Sequence, residues 1–155
     1  MFHAPLSFHA QQDDIVVEGA LQFNKGASHM FNFYVNGDPF TRGVPVSSLK
    51  EAVSRAVSML ARRLKISPEQ PLGSTIWKRH RPAVSCVMSI RLWRPMYATA
   101  KRTVLANAEL HQPVFRAVYA ALSKALQEDP AFAKTLLEHI ADSEPGLGKK
   151  TEADQ

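Results

Sequence analysis

The sequence predicts a single α+β domain in which a small antiparallel sheet is covered by helices. Three observations predict it. Apolar and polar residues alternate from Met30 to Val35 and from Ala83 to Trp93, the period of half-buried strands. Leu49, Val53, Ala56, Val57, Leu60 and Leu64 recur at helical spacing. From Tyr97 onward three further apolar stripes keep that helical period. With 155 residues, 45% hydrophobic and 21% charged, the chain is long enough to bury one core.

Taken in order, residues 1–12 show no periodicity and are expected to form a loose arm. Residues 15–23 and 30–35 follow as two strands, turned by the segment around Gly26. Asn36-Gly37-Asp38-Pro39 then supplies turn chemistry. Ser28-His29-Met30 matches the trace of a restriction site at a start codon, so a second reading assigns residues 1–29 to a vector. Ser47 or Ser48 can cap a helix over 48–65, with Glu51 completing a capping box. Pro68, Pro71 and Gly73 end it in a loop.

Residues 83–93 are the third strand, with Val84, Cys86, Met88, Ile90 and Leu92 on one face. Ser85, Ser89, Arg91 and Trp93 stand on the other, and Pro95 ends the strand. A three-helix segment is expected after it, over 97–110, 113–127 and 130–141, with Pro113 and Pro130 as first-turn residues. Residues 1–142 thus form the domain, and 143–155, with Pro145, Gly146 and Gly148, a disordered tail.

Charge is the strongest functional signal. The net charge is +5, yet residues 42–102 hold 13 lysines and arginines against only Glu51 and Glu69. Both tryptophans and Tyr97 lie among those cations. Lysine and arginine neutralise phosphates, and exposed aromatic rings stack unpaired bases. The expected contact residues are Arg62, Arg63, Lys78, Arg79, Arg81, Arg91, Trp93, Arg94, Tyr97, Lys101 and Arg102. Part of this charge has a simpler use, since Arg62 and Arg63 at a helix C-terminus favour the helix dipole.

Signals for chemistry are sparse. Cys86 sits mid-strand on the apolar face, where a thiol without a neighbouring base is inert. The six histidines form no metal-ligand pair on an expected helix, so no metal or other cofactor is expected. No phosphate loop, dinucleotide fingerprint or nucleophile elbow is present. No apolar run reaches the ~20 residues of a membrane span. A single cysteine and the lack of a signal-like start fit a cytoplasmic protein of bacterial or viral origin.

The expectation from sequence is therefore a non-enzymatic nucleic-acid-binding protein, with DNA favoured over RNA. The alternative is an inhibitor or adaptor that docks the same surface on an acidic protein, because Trp, Tyr and Arg also dominate interface hot spots. Either is compatible with a homodimer formed through the C-terminal helices.

Overall fold

The computed structural model describes residues 3–24, 28–65, 76–78 and 82–143. Its strands are β1 (Leu6–Gln12), β2 (Ile15–Asn24), β3 (Met30–Val35), β4 (Asp38–Phe40), β5 (Arg42–Gly43), β6 (Ala83–Arg91) and β7 (Val104–Leu105). Its helices are α1 (Val44–Arg63), α2 (His111–Glu128) and α3 (Pro130–Ser143). The α+β class holds, with the three expected strands in one sheet under helices.

That sheet has five strands in the order β1-β2-β6-β3-β4. All neighbours are antiparallel except β3 and β6, which run parallel, so the sheet is mixed rather than purely antiparallel. The reason is the long connection through α1, which returns the chain to the same end before β6 begins.

Period-2 alternation assigns the faces. Val17, Leu21 and Phe23 of β2 are buried beside Phe33 and Val35 of β3 and Cys86, Met88 and Ile90 of β6. The helices cover this face with Leu49, Val53, Val57 and Leu60 of α1 and Val114, Val118 and Leu122 of α2. The other face carries Met30, Tyr34 and Val87, all exposed.

Several expectations are corrected. Residues 6–12 are no loose arm but edge strand β1, paired with β2 from Leu6↔Leu21 to Gln12↔Ile15. Small polar residues on the outward side hide its pattern, and only Phe8 is fully buried there. Asn36-Gly37 does not end the sheet. Both residues have positive φ, 50° and 86°, which gives the two-residue hairpin turn into β4. Helix α1 starts at Val44 with Pro45 in its first turn, not at a serine cap. Ser48 is instead buried inside the helix and donates to the His111 carbonyl at 2.7 Å.

The largest correction concerns residues 97–110, where no α-helix forms. Asn107 opens a short 3-10 turn at Ala108–Leu110, and α2 follows directly. The β-branched Thr99, Thr103 and Val104 disfavour a helix, and Arg102 sits at φ 58°. The other two expected helices are α2 and α3. The expected tail lies outside the described residues beyond Ser143.

His29 ties Ile76 to the start of β6. His29 Nδ1 accepts from the Val84 N–H at 2.9 Å, and its Nε2 lies 3.0 Å from the Ile76 carbonyl. Trp77 is half-buried, donates to Ser54 Oγ at 2.8 Å and lies under Lys50.

Candidate functional site

In place of the expected helix, residues 96–106 form a narrow loop with antiparallel legs. Ala98 N–H donates to the Val104 carbonyl at 2.9 Å, and Ala106 N–H to the Met96 carbonyl at 2.7 Å. Tyr97 and Leu105 form a bridge between them. The tip turns on an Arg102-to-Thr99 backbone bond of 3.2 Å and carries Lys101 and Arg102, both exposed.

Three devices hold this loop. Asn107, 2% exposed, accepts from Met96 N–H at 2.6 Å and donates to the Arg94 carbonyl at 3.0 Å. It also donates to Glu109 at 2.6 Å. That bond is the main reason the Glu109 carboxyl lies below its ordinary pKa. Second, β7 pairs in parallel with β5, and the Thr103 carbonyl accepts from the Thr41 and Arg42 N–H groups at 2.9 and 3.0 Å. Third, Gly43 allows that approach: a Cβ there would lie 2.0 Å from the Leu105 carbonyl oxygen.

Upstream, the Asn36 side chain brackets the exit of β6. It donates to the Leu92 carbonyl at 2.7 Å and accepts from Leu92 N–H at 3.0 Å. Residues 91–107 are therefore a braced segment, and its cations extend from a fixed base. Arg102 lies over the Tyr97 ring, 5.9 Å from its centre.

The expected contact residues do not form one surface. Arg91, Trp93, Arg94, Tyr97, Lys101 and Arg102 share the braced segment. Arg62 and Arg63 lie in the last turn of α1, a 20-residue helix, roughly 30 Å from its start beside the loop. They line a groove of about 290 Å³ with Tyr119, Leu126 and Gln127. Lys78 is exposed but precedes β6, whereas Arg91 ends it, about 30 Å away along nine residues. Arg79 and Arg81 lie outside the described residues. The Tyr97 ring is half-buried, packs on the core and lies under Arg102. Trp93, in contrast, is 78% exposed.

Sequence reasoning missed Asn107, Gly43, Asn36 and Arg42. An asparagine and a glycine flanking β-branched residues were the only signals, and both read equally well as turn residues.

Cys86 is buried, and burial pushes its thiol up to about 12. It stays protonated near neutral pH. Iodoacetamide should leave it unmodified in the native chain and alkylate it after denaturation. Modification of the native chain at the denatured rate would show that the strand opens. Among the described residues no three His, Cys, Asp or Glu side chains could hold a metal. Among them, too, no helix is long and apolar enough to cross a membrane.

Comparison with known proteins supplies the context. The family described as DNA gyrase B matches residues 1–154. DNA gyrase B of Myxococcus xanthus is 27% identical over 143 residues, 90% of this chain and 17% of that protein. The Staphylococcus aureus gyrase B is 27% identical over 86% of this chain and 21% of its own length. This chain thus spans about a fifth of these relatives. The 43K ATPase domain of Thermus thermophilus gyrase B superposes with a TM-score of 0.79 at 22% identity, covering 98% of this chain and 40% of that one. A topoisomerase IV ATP binding domain from Francisella tularensis gives 0.73 at 19% identity, over 90% and 39%.

These matches overturn three expectations. The expectation of a non-enzymatic nucleic-acid-binding protein is overturned, since the chain matches the DNA gyrase B family over residues 1–154 and its relatives are gyrase subunits. The inhibitor or adaptor reading fails on the same ground, and the relatives named are bacterial, not viral. Charge and aromatic content report what a surface can bind. They do not report which larger polypeptide a segment resembles.

Proposed function

The chain belongs to the DNA gyrase B family, and on that premise we propose that it is one module of an ATP-driven DNA topoisomerase subunit. Its part is to present the braced 96–106 loop to phosphate. The carrying observation is the unequal coverage: nearly all of this chain aligns with less than half of an ATPase domain. On this reading the nucleotide is held by the rest of such a unit, and this fold acts on it.

The chemistry of the tip suits that role. Arg102 offers a planar fork of donors that matches phosphate geometry, and Lys101 adds a compact point charge. Charges fixed before the reaction stabilise negative charge that develops during phosphoryl transfer, without reorganisation at that moment. The bracing by Asn107, Gly43 and β5 supplies this fixity. On this reading DNA and further subunits are the partners, in place of an acidic protein, and the setting is cytoplasmic. The phosphate is that of the nucleotide or of DNA.

The test joins this chain in frame to the part of the T. thermophilus ATPase domain that it does not match. ATP turnover is expected from the chimera and not from this chain alone. Lys101→Ala with Arg102→Ala should lower it roughly a hundredfold, the scale for removing preorganised transition-state charge. Unchanged turnover with weakened retention of duplex DNA would assign the loop to DNA phosphates. Unchanged turnover and unchanged DNA retention would remove the loop from the function.

A further inference from the structure

The five-stranded sheet ends on β1 at one side and on β4 at the other, and the two edges differ. β4 is three residues long with Pro39 at its centre. The turn pairs Val35 with Asp38, so Tyr34 and Pro39 form the next pair, one that exchanges no backbone bonds. The Pro39 nitrogen therefore faces outward with no hydrogen to donate. That edge is blunted, as sheet edges commonly are.

β1 is seven residues long, LSFHAQQ, with no charged residue, proline or glycine. Its turn also has two residues, Asp13 and Asp14, because Gln12 pairs with Ile15. Leu6, Phe8, Ala10 and Gln12 thus exchange their backbone bonds with β2, while Ser7, His9 and Gln11 direct an N–H and a carbonyl each away from the sheet. Among the described residues, no backbone hydrogen bond from outside the β1–β2 pair reaches this strand. A row of unpaired donors and acceptors on an uncharged strand is a template for another strand.

We propose that β1 is a self-pairing edge, at which two copies of this chain join antiparallel about a two-fold axis through His9. The register selects a second copy over an arbitrary strand. About that axis His9 meets His9 of the second copy, and Ser7 meets its Gln11 in both directions. Three residues with two outward groups each give six groups per copy, and the pairing satisfies all of them. On the helix-covered face Phe8 falls opposite Ala10 and Leu6 opposite Gln12, so a large side chain meets a small one and the half-buried Leu6 and Ala10 are covered further. Neutrality matters as well, because a charge at the two-fold would face its own copy. One strand pair is a small interface, so the association is reversible and depends on concentration. It needs neither the C-terminal helices nor the proposed function.

Amide hydrogen exchange on the whole chain, at low micromolar and at near-millimolar concentration, reads the edge residue by residue. The Ser7, His9 and Gln11 amides should exchange severalfold more slowly in the concentrated sample, with those of Phe8 and Ala10 unchanged. The sedimentation mass should double over the same range. His9 is exposed, and His9→Lys sets two ammonium groups opposite each other, so it should abolish both changes. If that variant unfolds the strand, the amide pattern of the unaltered chain still decides. Exchange at the three amides that ignores concentration overturns the proposal, whether fast, as at an edge no copy covers, or slow, as at one the chain itself covers. Doubling of mass without protection of those amides, or protection that His9→Lys leaves intact in a folded chain, also overturns it.

Discussion

Gly43→Val is expected to destabilise the protein by about 3 kcal/mol or more and to dislodge the 96–106 loop. The backbone at Gly43 has φ 120° and ψ −162°, a conformation that residues with a Cβ essentially do not adopt. Space is lacking too. A Cβ would meet the Leu105 oxygen at 2.0 Å, its nitrogen at 2.7 Å and its carbonyl carbon at 2.8 Å, all backbone atoms that no rotamer change can move aside. The β5–β7 pairing must open, and with it the brace that the Thr103 carbonyl makes to Thr41 and Arg42. Urea unfolding measures the loss. A change below ~0.5 kcal/mol, the ordinary range for surface substitutions, would mean that the β5–β7 approach does not exist in solution.

Asn107→Ala should cost about 1–2 kcal/mol, because it removes a buried side chain that satisfies two part-buried backbone groups at once. The Met96 N–H and the Arg94 carbonyl lose their side-chain bracket, and a methyl group cannot replace either role. Asn107→Asp is the sharper variant. It keeps an acceptor for Met96 N–H but turns an oxygen toward the Arg94 carbonyl and the Glu109 carboxylate. It should be no more stable than alanine. The Asn107–Glu109 contact also has a pH signature. Because Glu109 titrates below its ordinary value, the contact contributes fully at neutral pH and is lost as pH falls through that depressed value. Equilibrium unfolding of both variants at neutral pH decides it; a near-neutral Asn107→Asp would contradict the assigned amide orientation.

How much of this was legible in the sequence depends on where each residue finds its partners. Strands β2, β3 and β6 showed themselves because one face of each is buried, so Phe33, Met88 and Ile90 impose a period of two. Helices α2 and α3 showed themselves through Val118, Leu122, Phe132 and Leu136 in the same way. Edge strand β1 did not, since Ser7, His9 and Gln11 face outward and Ala10 contributes little apolar area. The parallel pairing of β3 with β6 is a property of the long α1 connection and leaves no local trace.

The segment 97–110 misled because Tyr97, Ala100, Val104, Leu105 and Ala108 satisfy a helical spacing by accident, while long-range contacts decide their conformation. Leu105 is buried, and its strand pairs with Arg42 and Gly43, far back in the chain. Among the candidate residues, Arg91, Arg94, Lys101 and Arg102 share one braced segment because they are close in sequence. Arg62, Arg63 and Lys78, drawn from the same basic stretch, lie at the far ends of α1 and β6. Proximity in sequence is lost over a 20-residue helix and a nine-residue strand. The gyrase B context was not legible, because a basic stretch interleaved with aromatic residues has the same pattern whether or not it belongs to that family.

The proposed function rests on the fixed geometry of the 96–106 loop, and not on its charge alone. ATP turnover of the chimera carrying Asn107→Ala, measured well below that variant's melting temperature, separates the two. Lys101, Arg102 and every other cation remain in place in this variant. Turnover should fall at least tenfold, toward the level of the Lys101→Ala, Arg102→Ala protein, a loss of about 1.4 kcal/mol of transition-state stabilisation. Wild-type turnover from the folded Asn107→Ala chimera would mean that charge suffices and that the bracing is dispensable.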